Sequence, residues 1–98
     1  MSNAIVLSEK DNVATALAEM KAGEKIAVKK GTGKEVTILQ DIPFGHKFAI
    51  RDISKGENVV KYGEVIARAT QKIKEGEYVH VHNIESLRGR GDLAHDGA

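Results

Sequence analysis

Hydrophobic and polar positions divide this chain into one segment of helical spacing followed by many short segments of alternating spacing. Ala4-Ile5-Val6-Leu7 is a short apolar run of strand type. Val13, Leu17 and Met20 then recur at helical intervals behind Asp11-Asn12, which has the chemistry of a helix N-cap. Ala14, Ala16, Ala18 and Glu19 favour helix, and Gly23 stands where a helix ends, so the pattern predicts one short helix over 12–22. Beyond it the period changes to two. Ile26 and Val28 alternate with lysines, and Val36 and Ile38 flank Thr37 beyond Gly31-Thr32-Gly33, which predicts a β-hairpin. Phe48 and Ile50 predict a third strand, after the turn Asp41-Ile42-Pro43-Phe44-Gly45. Val59-Val60, Val65-Ile66 and Tyr78-Val79-His80-Val81-His82 predict further short strands.

An internal echo runs through these elements. Ile53-Ser54-Lys55-Gly56-Glu57-Asn58-Val59 reappears as Ile73-Lys74-Glu75-Gly76-Glu77-Tyr78-Val79, and Met20-Lys21-Ala22-Gly23-Glu24-Lys25-Ile26 has the same form. Each places an apolar anchor, a glycine able to take positive φ and an apolar strand residue in one order. Their unequal separations indicate repeated turn-into-strand units rather than a solenoid. From Glu85 onward neither period survives, which divides the chain into a domain over 1–84 and a tail over 85–98 suited to docking on a partner.

Composition narrows the function. Ninety-eight residues suffice for one domain with one modest core, and leave little room for a complete enzyme pocket. Fifteen Lys+Arg against fourteen Asp+Glu and only four aromatic residues argue against a nucleic-acid binder. Cysteine is absent, which removes disulfides, thiolate metal ligands and a cysteine nucleophile from this chain. No apolar run reaches the length of a membrane span, and the expected compartment is the cytoplasm.

His80-Val81-His82-Asn83 is the strongest chemical signal. On a strand, residues i and i+2 share a face, so His80 and His82 would project together while Val79 and Val81 enter the core. Such a pair can converge on a divalent cation, can titrate beside a bound substrate, or can simply be the solvated face of a half-buried strand. His46 follows the turn Pro43-Phe44-Gly45, beside Lys47. If it meets His80 and His82 in space, the three imidazoles suit either a catalytic-type metal site or acid–base work. His95 lies in the tail. Gly31-Thr32-Gly33-Lys34 lacks the spacing of a phosphate loop and reads as a hairpin turn. Lys25, Lys29, Lys30 and Lys34 read as the hairpin's outer face, and Arg90-Gly91-Asp92 as a chance tripeptide. Arg88 and Arg90 carry forks able to hold a carboxylate, or are solvated.

Ile42-Pro43-Phe44-Gly45-His46-Lys47-Phe48-Ala49, Lys61-Tyr62-Gly63-Glu64-Val65-Ile66, Gly76-Glu77-Tyr78-Val79-His80-Val81-His82-Asn83 and Leu87-Arg88-Gly89-Arg90-Gly91 occur here in order. Together with Asp11-Asn12-Val13-Ala14 they resemble the N-terminal SAF-type β-clip module of the altronate/galactarate dehydratase family. They resemble equally its stand-alone form, the small subunit of two-chain dehydratases and of sulfolactate sulfo-lyase. The resemblance implies a mainly β fold, here with one short N-terminal helix. It implies a role in removing water from a sugar-acid carboxylate to give a 2-keto-3-deoxy acid, or in sulfolactate desulfonation. It further implies dependence on Fe2+ or Mn2+, and a hetero-oligomer with a large catalytic subunit that carries most of the machinery. On that resemblance His46, His80 and His82 are catalytic or metal-binding candidates, and Lys47, Asn83 and Arg88 are substrate-binding candidates. A non-catalytic carbohydrate-binding module is the alternative, because the fold alone does not choose.

Overall fold

The computed structural model of the chain describes residues 4–6, 8–28 and 35–87. These residues form nine strands: β1 (Ala4–Ile5), β2 (Val13–Ala16), β3 (Lys25–Ala27), β4 (Glu35–Thr37), β5 (Lys47–Ala49), β6 (Asn58–Lys61), β7 (Glu64–Ala69), β8 (Tyr78–Val79) and β9 (Ile84–Ser86). They pair antiparallel into a four-stranded sheet β1-β2-β5-β8, a hairpin β3-β4 and a three-stranded sheet β6-β7-β9. The mainly β expectation holds. The strands flanking Gly31-Thr32-Gly33 pair as foreseen, although that turn, Lys29, Lys30 and Lys34 lie outside the described residues.

The expected helix over 12–22 does not form. Its first half is β2, which lies between β1 and β5 with both faces covered. Ala14 packs with Phe48, Met20 and Ile38 in one core, while Val13 packs with Ala49, Ile53 and Val79 in a second. A strand buried on both faces needs small side chains, and the alanines serve that need, so tertiary packing overrides their helical preference. Leu17, the middle residue of the helical pattern, is 42% exposed. Asp11 and Asn12 do not cap a helix. The Asn12 amide donates to the Asn58 carbonyl (2.9 Å) and accepts from the Val60 N–H (2.8 Å), and the Gly63 N–H donates to Asp11 Oδ1 (2.8 Å). Together they clamp the β6–β7 hairpin to the start of β2.

The echoed segments are one device used four times. Gly23, Gly56 and Gly76 all take positive φ, and each following glutamate folds back on its own turn. Its backbone N–H donates to the carbonyl three residues earlier, and its carboxylate accepts from that residue's N–H (Glu24 with Lys21, Glu57 with Ser54, Glu77 with Lys74). Each glycine N–H also donates across to another strand, whose N–H returns a bond to the glutamate carbonyl; the partners are Ile38, Ala69 and Ala49. A fourth copy, absent from the sequence reading, is Ile42-Pro43-Phe44-Gly45-His46-Lys47-Phe48. Gly45 has φ 84° and donates to Ala16, which returns its bond to His46. The apolar anchors pair as isolated bridges, Met20 with Ile42 and Ile53 with Ile73, so the units close on one another two by two. All four anchors are fully buried.

The fourth copy differs where it matters. Pro43 has no N–H for a carboxylate to accept from, so the position that holds glutamate elsewhere is released from local duty. His46 occupies it.

The second sheet also departs from expectation. Glu85 and Ser86, expected to begin a tail, lie in β9 against Arg68 and Ala67 of β7. Residues 88–98, including Arg88, Arg90 and His95, lie outside the described residues.

Candidate functional site

β5 and β8 are neighbours, with Phe48 opposite Tyr78 and Lys47 opposite Val79. Cross-strand partners share a face, so residues flanking Phe48 and Tyr78 on that face come together. His46, two residues before Phe48, meets Tyr78 and His80. The His46 and His80 rings lie 5.1 Å apart between centroids, and both stand beside Tyr78, at 5.5 and 5.6 Å. The Tyr78 and His80 planes are stacked, 6° from parallel, and His82 tilts against Tyr78 at 5.5 Å. The Tyr78 hydroxyl is 2.7 Å from His46 Nδ1. The three imidazoles thus share one neighbourhood, with a tyrosine at its centre that sequence reasoning passed over. Its signal lay in the echo: Tyr78 occupies the residue after Gly76-Glu77, where the sister units have Asn58 and Lys25.

The route by which His80 and His82 meet is not the expected one. β8 ends at Val79, and His80-Val81-His82-Asn83 is a turn. Val81, assigned to the core from alternation, is 78% exposed. The reason is Asn83. Its side chain is buried, with Nδ2 donating to the Tyr78 carbonyl (2.9 Å) and Oδ1 accepting from the His80 N–H (3.0 Å). Its own backbone N–H donates to the His80 carbonyl (3.0 Å). Both ends of the amide are therefore spent on the backbone, and Asn83 holds the turn that carries the histidines.

Beside the rings opens a cavity of about 510 Å³, lined by Lys47, Lys61, Tyr62, Glu64 and His80 with apolar walls from Ile66, Val81 and Ile84. His46 and His82 are not among its walls. Tyr62 and Gly63 form the two-residue turn between β6 and β7, and both have positive φ, as a type I′ hairpin demands. Tyrosine is strained in that conformation by about 1 kcal/mol or more. Its ring takes the Lys61 ammonium at 5.0 Å, and its hydroxyl lies 3.5 Å from Thr15 Oγ1.

The electrostatics favour an anion. Lys47 is half-buried, and among the described residues neither it nor Lys61 has a carboxylate at ion-pair distance. Loss of hydration, and then repulsion from Lys61, holds the Lys47 ammonium below its ordinary lysine value. Two cations that share a cavity wall with a single carboxylate, Glu64, gain from a bound negative charge. His80 is likewise held below its ordinary value, first by loss of hydration and then by His46, Lys47 and His82. The sign for stability follows. Unfolded His80 takes up its proton at higher pH than folded His80, so folding stability falls as pH drops through about 6.5. Thermal melts between about pH 7 and pH 5 are expected to show a steeper loss for the natural chain than for His80→Gln. Equal slopes would refute the effect.

Among the described residues, no group of three or more His, Cys, Asp or Glu side chains is arranged to hold a metal ion. The imidazoles surround a phenol instead of a common point, and His46 Nδ1 is engaged by it. The ring cluster therefore does not fit a metal centre of its own. No helix among the described residues is long and apolar enough to cross a membrane.

Residues 2–87 match the family model of the altronate/galactarate dehydratase SAF domain. The chain is 49% identical over 73 residues to altronate dehydratase of Escherichia coli (strain K12), covering 74% of this chain and 14% of that protein. It is 36% identical over 86 residues to altronate dehydratase of Bacillus subtilis (strain 168), covering 88% of this chain and 17% of that protein. It is 53% identical over 47 residues to (2R)-sulfolactate sulfo-lyase subunit alpha of Chromohalobacter salexigens, 48% of this chain and half of that subunit. The chain thus spans well under a fifth of the two altronate dehydratases it matches. With the family match spanning most of its length, the chain belongs to the altronate/galactarate dehydratase SAF domain family.

Proposed function

We propose that this domain is the small subunit of a two-chain hydro-lyase that dehydrates a sugar-acid carboxylate, and that it acts with a large catalytic subunit. The observation that carries the reading is the pair Lys47 and Lys61, neither within ion-pair distance of a carboxylate among the described residues, on the wall of a cavity that also holds His80 and a single carboxylate, Glu64. Relatives named altronate dehydratase, galactarate dehydratase and sulfolactate sulfo-lyase subunit alpha support it, since each name denotes a lyase of an acid.

Dehydration of a 2,3-dihydroxy acid needs a base for the proton α to the carboxylate, positive charge for the developing enediolate and an acid for the departing hydroxyl. In this reading the lysines hold the carboxylate and stabilise its enediolate form, His80 on the same wall handles protons beside it, and His46 and His82 act from the adjoining ring cluster outside the cavity walls. Arg88 stays a substrate-binding proposal, while Asn83 acts by holding the turn. Because the ring cluster fits no metal centre, no step is routed through Fe2+ or Mn2+, and such an ion is assigned to the large subunit. Desulfonation of a sulfolactate-like acid is the second reading, favoured by the 53% identity to a sulfo-lyase subunit.

Mixing this chain with its large partner and following 2-keto-3-deoxy acid, with sulfite release in parallel, tests both readings. Each charge-assisted contact is worth about 1.5–3 kcal/mol, so Lys47→Ala and Lys61→Ala should each lower kcat/KM by roughly 10- to 100-fold. Full activity in the double lysine variant, or in His46→Ala with His82→Ala, would sink the proposed roles. Sugar-acid binding by the isolated chain, with no large partner on pull-down, would favour the non-catalytic module.

A further inference from the structure

We infer that Tyr78 is a positioning residue that fixes the tautomer of His46, so that neutral His46 presents an N–H at Nε2 and acts as a hydrogen donor, not as a base or a metal ligand. The inference rests on the proposed lyase reading for its use, but on this structure for its substance.

His46 has two ring nitrogens, and only one is engaged. Nδ1 lies 2.7 Å from the Tyr78 hydroxyl, while no hydrogen bond engages Nε2 among the described residues. Either partner can formally donate. The distance favours the hydroxyl, because O–H donors reach about 2.7 Å where N–H···O bonds centre on about 2.9–3.0 Å. The chemistry favours it too. A neutral imidazole nitrogen is a far better acceptor than a phenol oxygen, and a phenol is the better donor. When the hydroxyl donates to Nδ1, that nitrogen carries the lone pair and the single imidazole proton sits on Nε2.

The neighbourhood makes this choice durable. Tyr78 cannot swing away easily: its ring is stacked on His80 and flanked by His82, and its backbone N–H donates to Gln40 Oε1 (2.9 Å). His46 is released for the contact because Pro43 removes the N–H on which the sister glutamates are spent. His46 stands beside His80 and not on the cavity wall, so in a dehydration its Nε2–H can serve a departing hydroxyl or enediolate oxygen only of a substrate that reaches past His80, and it leaves proton abstraction to another group. The opposite tautomer, with Nδ1–H donating to the phenol oxygen, would instead offer an Nε2 lone pair of the kind a metal needs.

Long-range ¹⁵N–¹H correlation of the imidazoles in the full chain decides between them, with His46→Gln assigning the signals. At a pH where His46 is neutral, the expected pattern is Nε2–H with a hydrogen-bonded Nδ1 lone pair. In Tyr78→Phe, which keeps the ring and its stacking, the Nδ1 resonance should move to its unbonded position. An Nδ1–H pattern in the natural chain, or an unchanged spectrum in Tyr78→Phe, overturns the inference. In the reconstituted lyase, Tyr78→Phe should lower kcat about tenfold with KM nearly unchanged, as loss of one such bond implies. A lyase-inactive natural mixture with the expected spectrum would refute the proposed function and leave the tautomer assignment standing.

Discussion

Gly76→Ala is expected to destabilise the domain by roughly 3 kcal/mol or more, lowering Tm by at least ~12 °C in a chain of this size. Four glycines in the repeated units share positive φ, but their surroundings differ. At Gly23, Gly45 and Gly56 an added Cβ would meet open space, so alanine there costs only the left-handed strain, about 1–2 kcal/mol. At Gly76 the same atom would overlap the Thr37 carbonyl oxygen and press on Leu39. Backbone cannot step aside as a flexible side chain can. The Leu39 N–H donates to the Gly76 carbonyl (2.9 Å), and the Gly76 N–H donates to Ala49 (2.8 Å), so the turn is held from both sides. This close approach joins the segment after β4 to the start of β8, two residues ahead of Tyr78. Relief of the overlap would therefore shift the ring cluster as well. Thermal melts of Gly76→Ala beside Gly23→Ala and Gly56→Ala make the comparison, and three equal losses would show that strain alone acts.

That contrast also marks how far the amino-acid sequence could be read. The spacing of apolar anchor, glycine and strand residue exposed the turn units at Gly23, Gly56 and Gly76, because their chemistry is local. The fourth unit does not stand out in the sequence because His46 replaces glutamate and proline replaces an N–H donor, which is also what frees the His46 side chain for the ring cluster. The segment of β2 has the composition of a helix, because Ala14, Ala16 and Ala18 favour one. Only the tertiary fold shows that a strand there must be thin enough to lie between two cores. The Asp11-Asn12 pair has the same composition whether it caps a helix or clamps a hairpin 46 to 52 residues away. The meeting of His46 with His80 and His82 was legible as a possibility, whereas Tyr78 at its centre required the β5–β8 register. Alternation carried Val79 correctly into the core and then failed at Val81, where a side-chain amide outcompetes the ladder.

That amide supports the second large effect. Asn83→Ala removes the partner of the His80 N–H and of the Tyr78 carbonyl together, in a place where the side chain is only 2% exposed. A buried backbone group left without a partner costs about 1–3 kcal/mol, so the expected loss is roughly 2–4 kcal/mol. Asn83→Asp should not rescue it. A carboxylate still accepts from His80, but it turns an acceptor toward the Tyr78 carbonyl and carries charge into a buried site. The consequence for function runs through the rings. Without the clamp, His80 and His82 lose the turn that holds them against Tyr78, and the ring-current shift of the His80 protons should diminish. Had Asn83 served as a substrate contact, its alanine variant would keep full stability and the His80 shift while raising KM. Denaturant melts and proton spectra of the chain alone separate the two roles before any substrate is added. A melt within about 0.5 kcal/mol of the natural chain, with the His80 shift intact, would return Asn83 to the substrate.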